Sequence, residues 1–124
     1  MTAVRRRIRL PALLVPLALA GAVVLAGCSG TDGAAQAAPV VGVTEVSAKD
    51  NRFDPAAIQV PAGSTVTWKF EDGPIPHDVK GDGWGSGDPQ RSGTFAHTFD
   101  QPGTYSYRCT LHDGMDGRVV VTGA

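Results

Sequence analysis

The sequence predicts an all-β fold, a two-sheet Greek-key β-sandwich of about seven short strands, over residues 41–124. Three features carry that expectation. Apolar residues recur at every second position, no helical 3.6-residue period runs from Val41 to Thr122, and Gly, Pro and Asp punctuate the chain at short intervals. About 80 residues make only one modest core, so a single domain is expected.

In order, the expected strands are 41–47, 57–60, 64–71, 77–80, 94–99, 104–109 and 117–122. The first is a short apolar-patterned stretch, and the second stops at Pro61-Ala62-Gly63, where Pro presets φ and Gly allows it to be positive. In the third, Val66, Trp68 and Phe70 share one face while Thr65, Thr67 and Lys69 share the other, the pattern of a half-buried antiparallel strand. A stiff loop, Gly73-Pro74-Ile75-Pro76, leads into the fourth at His77. Gly81 to Gly87 is too rich in glycine for a strand and reads as a loose excursion, with Trp84 either pinning it to the surface or sitting at a solvated tip. Alternation returns in Thr94–Phe99 and Thr104–Cys109, joined by Gln101-Pro102-Gly103, and the last strand closes the domain. Tyr105, Tyr107 and Cys109 lie at i, i+2 and i+4, so the thiol points to the face that the two aromatics mark as interior.

Ahead of the domain, four arginines among the first nine residues precede Leu10 to Gly27, a run without charge. That order is an export signal. Its length approaches the roughly 20 residues of a membrane span, so a retained anchor helix is the rival reading, weakened by Pro11, Pro16 and Gly21. Leu25-Ala26-Gly27-Cys28 resembles the lipobox of bacterial lipoproteins, in which the signal is cut before a cysteine that is then lipidated. Residues 1–27 are accordingly expected to be a lipoprotein signal peptide, with Cys28 lipidated and 28–40 a Gly- and Ala-rich tether. A dozen flexible residues span roughly 20 Å. The domain is thus expected at the cell membrane on its extracytoplasmic face, periplasmic if the host has an outer membrane, with lateral reach toward a partner.

The formal charge of minus one hides four arginines that leave with the signal; seven Lys and Arg then face twelve Asp and Glu, a balance of minus five. Such a surface argues against nucleic acid and for a protein partner with a basic docking patch.

Of the two cysteines, a lipidated Cys28 cannot pair, leaving Cys109 as a lone thiol in an oxidising compartment. On count alone an inert core cysteine is the plainer reading. The surrounding run changes that: Cys109-Thr110-Leu111-His112-Asp113-Gly114-Met115 puts His at plus three and Met at plus six, and His77 stands 32 positions upstream. A thiolate and two imidazoles with a weak axial thioether form the ligand set of a copper electron carrier. Zinc prefers four firm ligands and seldom accepts a thioether, so copper is the expected metal. His97 alternates with Phe95 and Phe99 and reads as a structural, hydrogen-bonded histidine.

These residues, with Thr65-Val66-Thr67-Trp68, Pro76-His77, Thr98-Phe99, Gly103 to Tyr107 and Gly117 to Val121, resemble the cupredoxins, the small blue-copper proteins that include plastocyanin, amicyanin and halocyanin. The resemblance implies that His77, Cys109 and His112 are the strong ligands, Met115 the weak axial one, and His112 the surface port for electrons. It further implies one copper per chain cycling between Cu(I) and Cu(II), a monomer, and exchange with a donor and an acceptor redox protein. Three positions depart from the pattern: Asp78 replaces Asn, Leu111 replaces Pro, and Arg108 replaces the tyrosine that plant plastocyanins use as a second docking route. With two histidines committed, only His97 remains, too few for the second copper of nitrite reductases or multicopper oxidases, and a Cu-A centre lacks its second cysteine. The expected function is one-electron transfer without enzymatic activity. The alternative is a module that buffers or delivers copper without redox turnover.

Overall fold

The computed structural model describes residues 36–123. The export segment, Cys28 and the first part of the tether lie outside the described residues. Nine strands follow in chain order: β1 Val40–Val41, β2 Glu45–Lys49, β3 Arg52–Asp54, β4 Ala57–Pro61, β5 Ser64–Phe70, β6 Lys80–Gly81, β7 Gly93–Phe99, β8 Gly103–Arg108 and β9 Asp116–Thr122. They form a five-stranded sheet ordered β1-β4-β9-β8-β6 and a four-stranded sheet ordered β3-β2-β5-β7. The all-β, two-sheet expectation stands, with nine strands among the described residues in place of seven.

Alternation builds the core as the sequence implies. Val66, Trp68 and Phe70 of β5 are buried, and so are Val119 and Val121 of β9, Val46 and Ala48 of β2, and Ile58 and Val60 of β4. Each buried aliphatic or aromatic side chain contributes ~1.5–3 kcal/mol, so this shared cluster is what holds the two sheets together. Trp68 sits at its centre, with ring centroids at 5.6 Å from Phe95, 5.2 Å from Tyr107 and 6.4 Å from Phe99.

Four expectations need correction. The stretch 41–47 is two strands in different sheets, because Gly42 at φ 79° turns the chain out of β1, its N–H donating to Gln59 O at 2.9 Å, before β2 begins in the other layer. Strand β3 was not anticipated; it pairs with β2 through the two-residue turn Asp50-Asn51, both at positive φ (52° and 54°), the requirement of a type I′ hairpin. Strand β5 is antiparallel to β7 but parallel to β2, so its sheet is mixed. Finally, 77–80 is not a strand as a whole: His77 makes an isolated bridge to Gln90, and only Lys80 enters β6.

That last difference arises because the glycine-rich segment is packed rather than loose. It folds back along 77–81, with Ser86 N–H donating to Val79 O at 2.8 Å and Gly81 N–H to Trp84 O at 2.9 Å. Trp84 tucks inward against Trp68 and Phe99, at centroid separations of 5.6 and 5.2 Å. Its indole also stacks on the His97 imidazole at 4.8 Å and 17°. Stacking, and no side-chain hydrogen bond among the described residues, is therefore what keeps His97 in place. Glycine is obligatory where the tryptophan passes, since a Cβ on Gly81 would stand 2.0 Å from Trp84 Cε2.

Replacement of Gly81 by alanine is expected to lower the unfolding free energy by about 1–3 kcal/mol through overpacking. Gly123, whose Cβ position is open, should tolerate alanine with no measurable change. Urea denaturation of the two copper-free variants checks the contrast.

Candidate metal centre

The site forms where β8 ends. Cys109 continues the β8 alternation one residue past Arg108, so its thiol enters the core at the open end of the sandwich and is buried. The chain then turns back within six residues: Cys109 N–H donates to Met115 O at 2.9 Å, and Met115 N–H to His112 O at 3.2 Å. Gly114 at φ 77° permits that reversal. These bonds return Met115 to the core beside Cys109, where it is 1 % exposed, while His112 is left half-buried at the rim.

His77 reaches the same place from a separate loop. Its backbone exchanges hydrogen bonds with Gln90 in both directions, 2.9 and 2.8 Å, and its ring is fully buried. The Cys109 Sγ lies 3.9 Å from His77 Nδ1 and 3.5 Å from His112 Nδ1, and the three ligand atoms all lie within 4.8 Å of one another. Donors each about 2.0–2.3 Å from a first-row ion stand about 3.5–4 Å apart at trigonal to tetrahedral angles, so this spacing fits one metal ion. One sulfur, two imidazole nitrogens and a buried thioether form a donor set suited to copper.

The orientation of His77 follows from its far side. Nε2 lies 2.8 Å from Asp72 Oδ2, and a carboxylate only accepts, so Nε2 carries the proton and Nδ1 turns its lone pair toward the thiol. This hydrogen bond holds the Asp72 carboxyl below its ordinary range, against an opposing effect of burial. The same Asp72 oxygen accepts the Asp50 N–H at 2.9 Å, which ties the imidazole to the β2–β3 hairpin. Nothing in the sequence pointed to Asp72, because its spacing to His77 matches no local motif and the link to Asp50 exists only once the hairpin forms.

The thiol itself is raised above its ordinary pKa, chiefly by burial; N–H groups of Asp78 and Leu111 oppose the shift and the Asp78 carboxylate adds to it. The metal-free protein thus keeps Cys109 protonated at neutral pH. Every residue the sequence singled out for the metal, His77, Cys109, His112 and Met115, is brought to this one end of the fold. Cys28 lies outside the described residues, and His97 is held away from the site against Trp84.

A two-sheet sandwich with a buried thiol and two imidazoles at one end defines a small metal-binding β protein of the blue-copper type. Residues 40–122 match the family described as copper binding proteins, plastocyanin/azurin family, and the chain belongs to that family. It is similar to amicyanin-alpha of Methylorubrum extorquens, at 37% identity over 122 residues covering 84% of this chain and 98% of that one. Halocyanin of Natronomonas pharaonis is 37% identical over 90 residues, which cover 66% of this chain and 55% of that one. Among solved structures, a purple cupredoxin from Nitrosopumilus maritimus superposes with a TM-score of 0.58 at 25% identity, covering 64% of this chain and all of that one. His77, Cys109, His112 and Met115 are arranged as a type I copper site.

Two outcomes follow from this geometry. Because copper must displace the Cys109 proton, Cu(II) affinity is expected to fall about tenfold for each pH unit below the raised thiol pKa, about 1.4 kcal/mol per unit. Competition titration across neutral and mildly acid pH measures the slope. Asp72→Ala leaves the His77 tautomer unspecified and is expected to weaken copper binding about 10–100-fold, read by the same competition at fixed pH.

Proposed function

We propose that the chain is a one-electron carrier tethered to the extracytoplasmic face of the membrane, in which His77, Cys109 and His112 would hold copper firmly and Met115 would be the weak fourth ligand. Copper, when bound, supplies a one-electron Cu(I)/Cu(II) couple. The observation that carries the reading is the convergence of a buried thiol and two imidazole Nδ1 atoms within 4.8 Å. The family's members carry electrons and are not enzymes, and no catalytic step is assigned to this chain.

The protein's part is to hold one cage for both oxidation states. Cys109 and Met115 are fixed by the hydrogen bonds across their loop, and His77 by Gln90 and Asp72. Water is kept from three of the four side chains by burial. Half-exposed His112 is then the route by which an electron enters and leaves.

Residues next to the site histidines in sequence expose apolar and acidic side chains, and Arg108, Asp113 and Asp116 line the cavity beside His112. Ile75 and Leu111, each within two residues of a site histidine, are 41% and 45% exposed, and Asp113 is exposed beside them. Such a face suits brief contact with a redox protein carrying an apolar patch ringed by basic residues. The lipobox-like Cys28 supports the tether, and diacyl modification would be firm because stable anchoring takes more than one chain.

Addition of Cu(II) to the purified domain is expected to produce an intense visible thiolate-to-copper band, absent in Cys109→Ser. A colourless loaded protein would sink the carrier reading. Electron exchange with a basic cytochrome should slow as salt is added, since screening weakens an attractive encounter. In cells, Cys28→Ser should release the protein from the membrane fraction.

A further inference from the structure

Asp78 is the one acidic side chain buried among the described residues, at 5 % exposure. It follows His77 in sequence and bonds to Thr110, which follows Cys109, so it spans the two segments that bear the buried ligands. Oδ1 accepts the Thr110 N–H at 2.6 Å and Oδ2 accepts the Thr110 hydroxyl at 2.5 Å. Both oxygens accept, so the side chain is bound as a carboxylate. Among the described residues no Lys, Arg or His lies within ion-pair distance of it, so no cation cancels that charge.

A negative charge held in a water-poor region acts on its neighbours far more strongly than one at the surface. It favours whichever state of an adjacent group is more positive. We propose that Asp78, positioned by both Thr110 donors, biases the bound copper toward Cu(II) and so lowers the reduction potential of the site. The inference deepens the copper reading above, and it concerns the relative affinity for the two oxidation states rather than electron delivery to any partner.

The geometry offers a clean substitution. In Asp78→Asn the amide oxygen can still accept the Thr110 N–H, and the new NH2 can donate to the Thr110 hydroxyl once that rotor turns. Both contacts survive and only the charge is lost. Thr110→Val is the complement, since it removes the hydroxyl and keeps the charge.

Cu(I) and Cu(II) dissociation constants, measured by competition on each variant, and the reduction potential by voltammetry read the effect. Asp78→Asn is expected to shift the affinity ratio about tenfold toward Cu(I), a rise of about 59 mV for a one-electron couple, with the visible band retained. Thr110→Val should shift it less. An unchanged or lowered potential in Asp78→Asn overturns the proposal, as does a shift in Thr110→Val equal to that of Asp78→Asn, which would make the contact and not the charge responsible. Should Asp78→Asn fail to fold, Asp78→Ser, which loses a contact as well as the charge, is read against Thr110→Val, and only a larger rise in Asp78→Ser sustains the proposal; if neither Asp78 variant loads copper, Asp78 serves folding and the proposal falls. A wild-type protein that bound both ions but exchanged no electrons would defeat the carrier reading, while the affinity ratio would still decide the role of Asp78.

Discussion

The hydrogen bond from the Cys109 N–H to the Met115 carbonyl is the constraint on which the site depends. It closes a six-residue excursion at its base, so a strand end and the start of the next strand, β9, become one rigid mouth. Without that closure the thiol would still be buried by the β8 alternation, but His112 and Met115 would be free to leave it. The β8–β9 ladder extends the same restraint downward, pairing Arg108 with Asp116 and Tyr107 with Gly117 in register. Gly117 is required there, because a Cβ would stand 2.4 Å from the Tyr107 ring. An aromatic packed on a glycine two residues before the cysteine thus sets the height at which the thiol enters the core.

The second anchor comes from the opposite sheet. Asp72 accepts both the His77 imidazole and the Asp50 N–H, so the buried ligand is oriented by a hairpin belonging to the four-stranded layer. His77 and Cys109 approach each other because the segments that carry them are each held by their own hydrogen bonds. Pre-set donors lose little freedom when a metal binds and need little movement when its charge changes, and rigid support of this kind separates a fast electron carrier from a loose copper store.

What could be read from the sequence was whatever is local and periodic. Val66, Trp68 and Phe70 declare a buried strand face by alternation alone, and the Cys109, His112 and Met115 spacing lies within one loop. Hidden features depended on contacts made after folding. The Asp50-Asn51 turn carries no glycine, so the hairpin that forms β3 has no strong signature in the sequence although its two-residue connection is a standard one. Gly81 to Gly87 reads as a loose excursion because glycine is ambiguous in sequence: it marks flexibility, or it marks a place where something bulky must pass. Here Trp84 is that bulky group, and the close approach of its indole to Gly81 decides between the two meanings. Asp72 and Thr110 were equally invisible as partners of the site, since their roles are defined across separations of 5 and 32 residues.

Burial divides the two imidazoles, and the division gives the site a direction. His77 is fully enclosed and is oriented by a carboxylate, whereas His112 stands half-exposed between Leu111 and Asp113 with no such restraint among the described residues. A partner can therefore approach one ligand and not the other. The acidic groups are arranged to match: Asp78 is buried and Asp72 half-buried behind the ligands, whereas Asp113 is exposed next to His112, where salt screens a charge strongly. On the roles proposed above, one fold separates the charge that biases the copper from the charge that meets a partner.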